Sequence, residues 1–385
     1  MRKFKYIDLF AGIGGFHQAM SQLGGECVFA SEIDPWAIET YKINYGIDSN
    51  HDITKVNEHD IPDHDVLCAG FPCQAFSKAG KQLGFKDETK GTLFFDIERI
   101  LLAKKPKYII LENVRNLVSH DNGNTWKTIK EHLISAGYRL TGKPLILSPH
   151  HFGVPQLRER VVILGVYDPN NVNLPIDISF TDLKHKNDNN IEHIMDEWFE
   201  PQYIISNYEN KVLSAWDEFY QQIDINIVGF PIWIDYFTQG ESDEYPKWKN
   251  EFIRKNNELY IRNKNFIDQW LIKHEVNNWV PTHKKFEWQS GEKIKSLWEG
   301  IIQFRPSGIR VKTPNTFPAL VAMVHVPIIG RMKRRLTIKE AAKLQSFPDD
   351  FIPCSNLQQA YKQFGNAVNV KVILNGAKKL FEIKL

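Results

Sequence analysis

Through residues 1–165, short β-rich apolar runs alternate with amphipathic stretches. The runs Tyr6–Phe10, Cys27–Ala30, Val66–Ala69 and Tyr108–Leu111 read as buried strands, and Phe16–Leu23, Pro35–Tyr45 and Trp126–Ser135 as helices with one apolar face. Arg160–Tyr167 reads as the last strand of the same sheet. Helix stops stand at Gly24-Gly25 and before Pro106, and Asn124 is placed to cap the helix that ends near Gly137. This βαβ rhythm predicts an α/β fold built on a largely parallel, doubly wound, Rossmann-like sheet.

Beyond Asp168 the rhythm breaks, and the Asn- and Asp-rich text DPNNVNLPID and KHKNDNNIEH reads as linker. A second, smaller region begins there. Between Gly229 and Gly300 it holds six of the ten tryptophans, interleaved with basic residues. Aromatics among cations can serve nucleic acid, but tryptophans more often pack, and packing is expected for most of these. After Leu336 a helical pattern returns in TIKEAAKLQSF, followed by a final segment from Tyr361 to Leu385. The expected organisation is a first domain over 1–175, completed by 360–385, with a second domain and hinge over 176–359.

Composition narrows the classes. With 385 residues, 42% hydrophobic and 24% charged, the chain can bury a real core, and no stretch is long and apolar enough to span a bilayer. The start, MRKFKYIDLF, runs straight into a strand pattern without a signal-peptide layout, so a cytoplasmic location is expected. Four cysteines with no CxxC pair suggest neither a disulfide framework nor a metal site. The net charge is only +2, yet between Arg305 and Lys343 nine basic residues, Arg310 and Lys312 among them, face the single acid Glu340. That bias suits either phosphate binding or a solvated basic face.

Four segments could carry chemistry. In DLFAGIGGF a strand runs into Gly12, Gly14 and Gly15 and then a helix, a turn that lets a ligand approach backbone closely. Eighteen residues after Gly14 comes Glu32, where a carboxylate can accept ribose hydroxyls, and Asp52 and Ile53 follow at the same sheet edge. The spacing is GxGG rather than GxGxxG, which favours a nucleoside without phosphates over a dinucleotide. In AGFPCQAFSKAGKQLGF, Cys73 follows Pro72 directly after a buried strand, and Gly80, Gly84 and Gly91 with Ser77, Lys78 and Lys81 read as a polar lid. The third segment, IILENVRNL, ends a strand on Glu112 and Asn113, either a capping or a catalytic acid; the fourth, FGVPQLRERVVILG, alternates Arg158 and Arg160 on one face.

Taken together and in order, DLFAGIGGF, Glu32, GFPCQAFS, ENV, QLRER, RRLTIKEAAKLQSFPDDF and FGNAVN resemble the bacterial cytosine-C5 DNA methyltransferases of restriction-modification systems. The resemblance covers roughly 1–167 and 334–370 and skips the middle, where that family keeps its target recognition domain. It implies an S-adenosylmethionine pocket lined by Phe10, Glu32, Asp52, Leu93, Asn366 and Val368, and a cytosine pocket lined by Pro72, Cys73, Glu112, Arg158 and Arg160. Many members carry a tryptophan after the ribose-binding acid; here Ile33 stands, so a plain apolar contact replaces stacking.

The chemistry implied is covalent. A Cys73 thiolate adds to carbon 6 of the base, Glu112 handles a proton at N3, Arg160 holds the exocyclic oxygen and Arg158 the neighbouring backbone phosphate. The target must first leave the duplex. Gln74, Ser77 and Lys81, together with Arg310 and Lys312 of the basic run, are the expected DNA contacts. Double-stranded DNA is the expected partner and monomeric action the expected mode, with any companion restriction endonuclease acting separately. Two rivals remain open: an RNA (tRNA) cytosine methyltransferase, and an NAD-dependent oxidoreductase that shares the strand, glycine, helix and acid layout but leaves the PCQ and ENV segments unexplained.

Overall fold

The structure, a computed structural model, describes residues 3–72, 93–180, 191–223, 230–320 and 325–383. Two compact units emerge: Met1–Asn189 with Ala319–Met323 and Ala341–Leu385, and Asn190–Pro318 with Val324–Glu340. Among the described residues no helix is long and apolar enough to cross a membrane.

The first unit opens with β1 (Phe4–Leu9), α1 (Gly15–Ser21), β2 (Gly25–Ser31), α2 (Pro35–Tyr45) and β3 (Val66–Gly70). It continues with α3 (Leu93–Lys104), β4 (Tyr108–Val114), α4 (Asn124–Ser135), β5 (Tyr138–Leu140), β6 (Leu145–Leu147), β7 (Gln156–Leu157) and β8 (Arg160–Tyr167). Local chemistry sets the boundaries. Asp34 caps α2 by accepting from the Trp36 amide, Pro35 fills the first helical position, and Gly46 ends the helix with φ 67°. At α4 the cap is Gly123, φ 87°, and Asn124 is already helical, so the cap expected at Asn124 stands one residue earlier and is a glycine in the left-handed region.

Seven strands form one sheet in the order β2-β1-β3-β4-β8-β5, with β6 also on β8. The strands β2, β1, β3 and β4 are parallel, as the βαβ rhythm requires. The last strand is not. β8 runs antiparallel to β4, pairing Arg160 with Val114 and Val166 with Tyr108. This reversal brings the start of β8, where Arg160 stands, to the carboxyl edge of β4, where Glu112 stands; a parallel β8 would have put them at opposite edges. Ile7, Leu67, Phe94, Ile97, Ile109 and Leu133 form the core beneath one face, each worth about 1.5–3 kcal/mol of transfer free energy.

The second unit comprises α5 (Asn207–Gln222), β9 (Ile232–Trp233), α6 (Lys247–Arg262), α7 (Lys264–Lys273), β10 (Lys285–Trp288), β11 (Ile301–Arg305), β12 (Gly308–Lys312), the two-residue β13 (Phe317–Pro318), β14 (Ile328–Ile329) and β15 (Arg334–Arg335). Its sheet runs β15-β14-β11-β12-β10-β9. Trp216, Trp270, Trp279 and Trp288 pack with Phe219 and Phe286 into its core, and the Trp216 and Trp270 indoles donate to the carbonyls of His283 and Ala215. Burying large rings whose N–H groups find acceptors is what a small sheet needs for stability.

The basic run looks different in three dimensions. Arg334 is fully buried against Glu340 at 2.6 Å, Arg331 pairs with Glu192 at 2.5 Å, Arg335 with Glu209, and Arg305 and Arg310 share Glu287. Four of these five arginines find acids outside the run, two of them more than 120 residues away, so the local excess of cations overstates the charge on the surface. Completing the chain are α8 (Ile338–Leu344), α9 (Leu357–Asn366) and α10 (Val370–Phe381).

Candidate active site

The glycine turn comes first. Phe10 and Gly12 both sit in the left-handed region, at φ 55° and 54°, an unusual place for a phenylalanine. Gly14 caps α1 at φ 86°. A Cβ on Gly12 would meet open space, whereas one on Gly15 would lie 2.4 Å from the Val368 carbonyl oxygen. Gly12 thus keeps one side of the turn free, and Gly15 lets the FGNAVN segment lie directly against it.

Glu32 is tied to this turn. Its Oε2 accepts from the Gly12 amide at 2.8 Å, and its Oε1 from the amides of Ile33 at 2.8 Å and Asp34 at 2.9 Å. Three of about four carboxylate acceptor positions are thus in use, which leaves roughly one free on Oε2. Ile33 is 70% exposed beside it, an apolar side chain without cover. A bridge between Glu32 and Asn50 brings the next loop alongside. There Asp52 caps the turn that starts at Ile53, accepting from Thr54, and pairs with Lys55 at 2.9 Å, contacts that hold its carboxyl below the usual range. Leu93 begins α3, Asn366 is the exposed last residue of α9, and Val368 follows it, half-buried. Open backbone at Gly12, a fixed acid and an uncovered apolar side chain fit a nucleoside carrying no phosphate, and so fit S-adenosylmethionine.

Glu112 occupies the adjoining strand end. It lies opposite Gly70 of β3 and Val162 of β8, and its Oε1 is 3.0 Å from Nε of Arg160. Burial pushes the Glu112 carboxyl up from its ordinary value, with Arg160 and then Arg158 pulling the other way. Glu112, Arg158, Arg160, Leu147, Pro149, Val368, Asn369 and Val372 line a small depression. One and the same hollow therefore holds the expected acid, both expected arginines and the expected Val368.

Arg158, expected at a phosphate, is placed in the interior. It is only 3% exposed, and its guanidinium donates to the carbonyls of Leu320 at 2.8 Å, Gly365 at 2.9 Å and Ala367 at 3.0 Å. Burial, with Arg160 beside it, lowers its pKa to about 9, so it is still charged at neutral pH. Its backbone is anchored as well, the Arg158 amide donating to Ser148 Oγ at 3.0 Å.

Pro72 is exposed just past β3. Cys73, Gln74, Ser77 and Lys81 lie outside the described residues, as does the expected lid. Asn113 fixes the entry to that segment: buried, it donates from Nδ2 to the Phe71 carbonyl at 2.8 Å and accepts the Val114 amide. Sequence reasoning named Asn113 only as a neighbour of Glu112; the signal for its role was an amide side chain ending an apolar strand, with no other reason to be buried. Asn369 was missed outright. It caps α10 by accepting the Val372 amide at 3.0 Å and donates to the Leu344 carbonyl at 2.9 Å. Arg310 and Lys312 share one face of β12, Arg310 held by Glu287 at 3.1 Å.

Comparison with known proteins decides the family. The sequence description of the C-5 cytosine-specific DNA methylases matches residues 4–382. The chain belongs to that family. The methylase is 36% identical over 378 residues to the Type II methyltransferase M.NlaX of Neisseria lactamica, covering 96% of this chain and 94% of that one. It is 32% identical over 369 residues to M.HhaI of Haemophilus parahaemolyticus, covering 96% and 91%. In fold it resembles Spodoptera frugiperda DNMT2, with a TM-score of 0.57 and 21% identity over 98% of this chain and 99% of that one. It is thus a DNA cytosine-5 methyltransferase of the restriction-modification type, a class that uses S-adenosylmethionine. The NAD-dependent alternative falls with this membership.

Proposed function

We propose that this methylase methylates carbon 5 of a cytosine flipped out of a specific double-stranded DNA sequence, through a covalent bond between Cys73 and carbon 6. The observation that carries the reading is the Glu112–Arg160 pair at 3.0 Å, in a hollow shared with Val368 of the segment that lies against the glycine turn.

S-Adenosylmethionine, bound between the glycine turn, Glu32 and Val368, supplies the methyl group. The Cys73 thiolate adds to carbon 6 and converts carbon 5 into an enamine nucleophile. Addition places negative charge on the ring, and Glu112, whose pKa burial raises against the pull of Arg160 and Arg158, neutralises it by giving or sharing a proton at N3. Arg160 holds the exocyclic oxygen while orienting Glu112. Once carbon 5 is methylated, a base removes its proton and the thiolate is expelled, which restores Cys73.

The thiol must approach the face of the ring, so the base leaves the stack at a cost of roughly a few kcal/mol. DNA contacts offset that cost. Gln74, Ser77 and Lys81 sit on the segment carrying the nucleophile. Arg310, Lys312 and Arg305 set three cations against the one carboxylate of Glu287, a net positive face suited to phosphates. The first unit performs the chemistry, and the second selects the sequence. One site serves one target base, which suits a monomer, and the enzyme works in the cytoplasm.

The test is transfer of a labelled methyl group to duplex DNA and to tRNA, followed by mapping of the modified cytosine. Label is expected in DNA at a short recognition sequence, and label in tRNA alone would overturn the substrate. Cys73→Ala is expected to abolish transfer while S-adenosylhomocysteine still binds, and to form no adduct with DNA containing 5-fluorocytosine. Undiminished transfer by that variant would remove Cys73 from the mechanism.

A further inference from the structure

One arginine of the QLRER segment does something its sequence position does not suggest. Arg158 is buried, and both of its terminal nitrogens are engaged with backbone carbonyls: Nη1 with Leu320, Nη2 with Gly365 and Ala367. The two carbonyls on Nη2 belong to the end of α9 and the turn that follows, the same turn that carries Asn366 and Val368. Val368 in turn lies close against two glycines, Gly15, where no Cβ fits, and Gly70, where one would be tight. Its carbonyl oxygen would be 2.4 Å from a Cβ at Gly15, and its Cγ2 3.2 Å from a Cβ at Gly70, the residue paired with Glu112.

The contacts therefore form a chain. From β7–β8 the guanidinium grips the 365–367 turn; that turn presses Val368 between the glycine turn and the end of β3; the end of β3 abuts Glu112. Gly365 and Ala367 are buried, and Asn369 anchors the far side through the Leu344 carbonyl. A planar guanidinium can serve acceptors at two terminal nitrogens in fixed directions, which an ammonium cannot.

We infer that Arg158 is a positioning residue: it fixes the Gly365–Val368 turn as the shared wall of the cofactor and base pockets, and it does not hold a DNA phosphate. The inference rests on the reading of the chain as an S-adenosylmethionine-dependent DNA methylase. Its consequence is specific. Loss of the guanidinium loosens the cofactor wall first and leaves the count of phosphate contacts unchanged.

The experiment compares the full-length wild type with Arg158→Lys and Arg158→Met, using calorimetric binding of S-adenosylhomocysteine and the salt dependence of duplex DNA binding. Both variants are expected to bind S-adenosylhomocysteine at least tenfold more weakly, with the slope of log K against log salt unchanged. A phosphate ligand would behave oppositely: Arg158→Met would lower the slope by about 0.9, Arg158→Lys would restore it, and S-adenosylhomocysteine binding would stay at the wild-type level, which overturns the inference. Should either variant fail to fold, phenylglyoxal labelling of the wild type decides. Arg158 is expected to resist labelling with or without DNA; ready labelling that DNA suppresses would overturn the assignment. Failure of the wild type itself to bind S-adenosylhomocysteine would instead sink the functional reading on which the inference rests.

Discussion

Nε of Arg160 lies 3.0 Å from Oε1 of Glu112, and the two residues come from strands of opposite direction. The pair is mostly buried, so the arginine orients the carboxyl without fully offsetting its loss of water, and the carboxyl keeps a raised pKa. An acid that holds its proton above the ordinary carboxylate range, already aligned by a cation, is suited to meet charge developing on a pyrimidine ring.

Glu112→Gln keeps the shape and removes the transferable proton. Methyl transfer is expected to fall by about 10²–10⁴ in kcat, with S-adenosylhomocysteine binding near the wild-type level by calorimetry; a rate within twofold of wild type would remove Glu112 from proton transfer. The pH dependence of stability gives a second readout. Because its folded pKa is raised, Glu112 contributes stability that is fully present below its ordinary pKa and lost as pH rises through the folded value. Denaturation profiles of Glu112→Gln are expected to lack that loss.

Asn113→Ala leaves the buried Phe71 carbonyl without its donor. Such an orphan costs about 1–3 kcal/mol, measurable by urea denaturation. Since Phe71 stands two residues before Cys73, kcat is expected to fall more than the affinity for S-adenosylhomocysteine, and equal losses in both would argue against a specific role in aiming the loop.

Gly15→Ala puts a methyl group 2.4 Å from the Val368 carbonyl oxygen. A backbone atom cannot swing away as a side-chain tip can, so a cost of about 1–3 kcal/mol is expected, together with weaker S-adenosylhomocysteine binding. Gly12→Ala meets no atom but carries the penalty of φ 54°; it is expected to reduce cofactor binding by filling the open side of the turn.

His17 packs on Tyr45 with ring centroids 3.9 Å apart, and its Nδ1 is 2.9 Å from the Tyr41 hydroxyl. Burial lowers its pKa from 6.5 to about 4. A neutral histidine of this kind contributes stability that is present above pH 6.5 and lost as pH falls toward 4, at most ~3 kcal/mol from the size of the shift. In thermal melts between pH 7 and 4, His17→Phe is expected to show a shallower decline than wild type; parallel curves would refute the assignment.

The βαβ rhythm, the glycine turn, Glu32, the ENV acid and the paired arginines were legible because each is a local pattern: hydrophobic period, turn chemistry, or a polar residue ending an apolar run. Resemblance of the ordered segments extended that to activity and cofactor. Direction was not legible for β8, since a strand's own alternation is the same whichever way its neighbour runs. The basic stretch after Arg305 misled for a related reason, because Glu192, Glu209 and Glu287 lie outside that stretch and meet those arginines only in the folded second unit.

Sequence alone thus determined the fold class and the family, because these depend on residue type and short spacing. Only the tertiary structure decided which partners each charge acquires. Arg158 and Arg160 are two residues apart and chemically identical, yet one is spent on three backbone carbonyls and the other faces Glu112. Burial makes every donor seek the acceptors that packing brings near, and those acceptors come from segments more than 160 residues away for Arg158 and from the adjacent strand for Arg160.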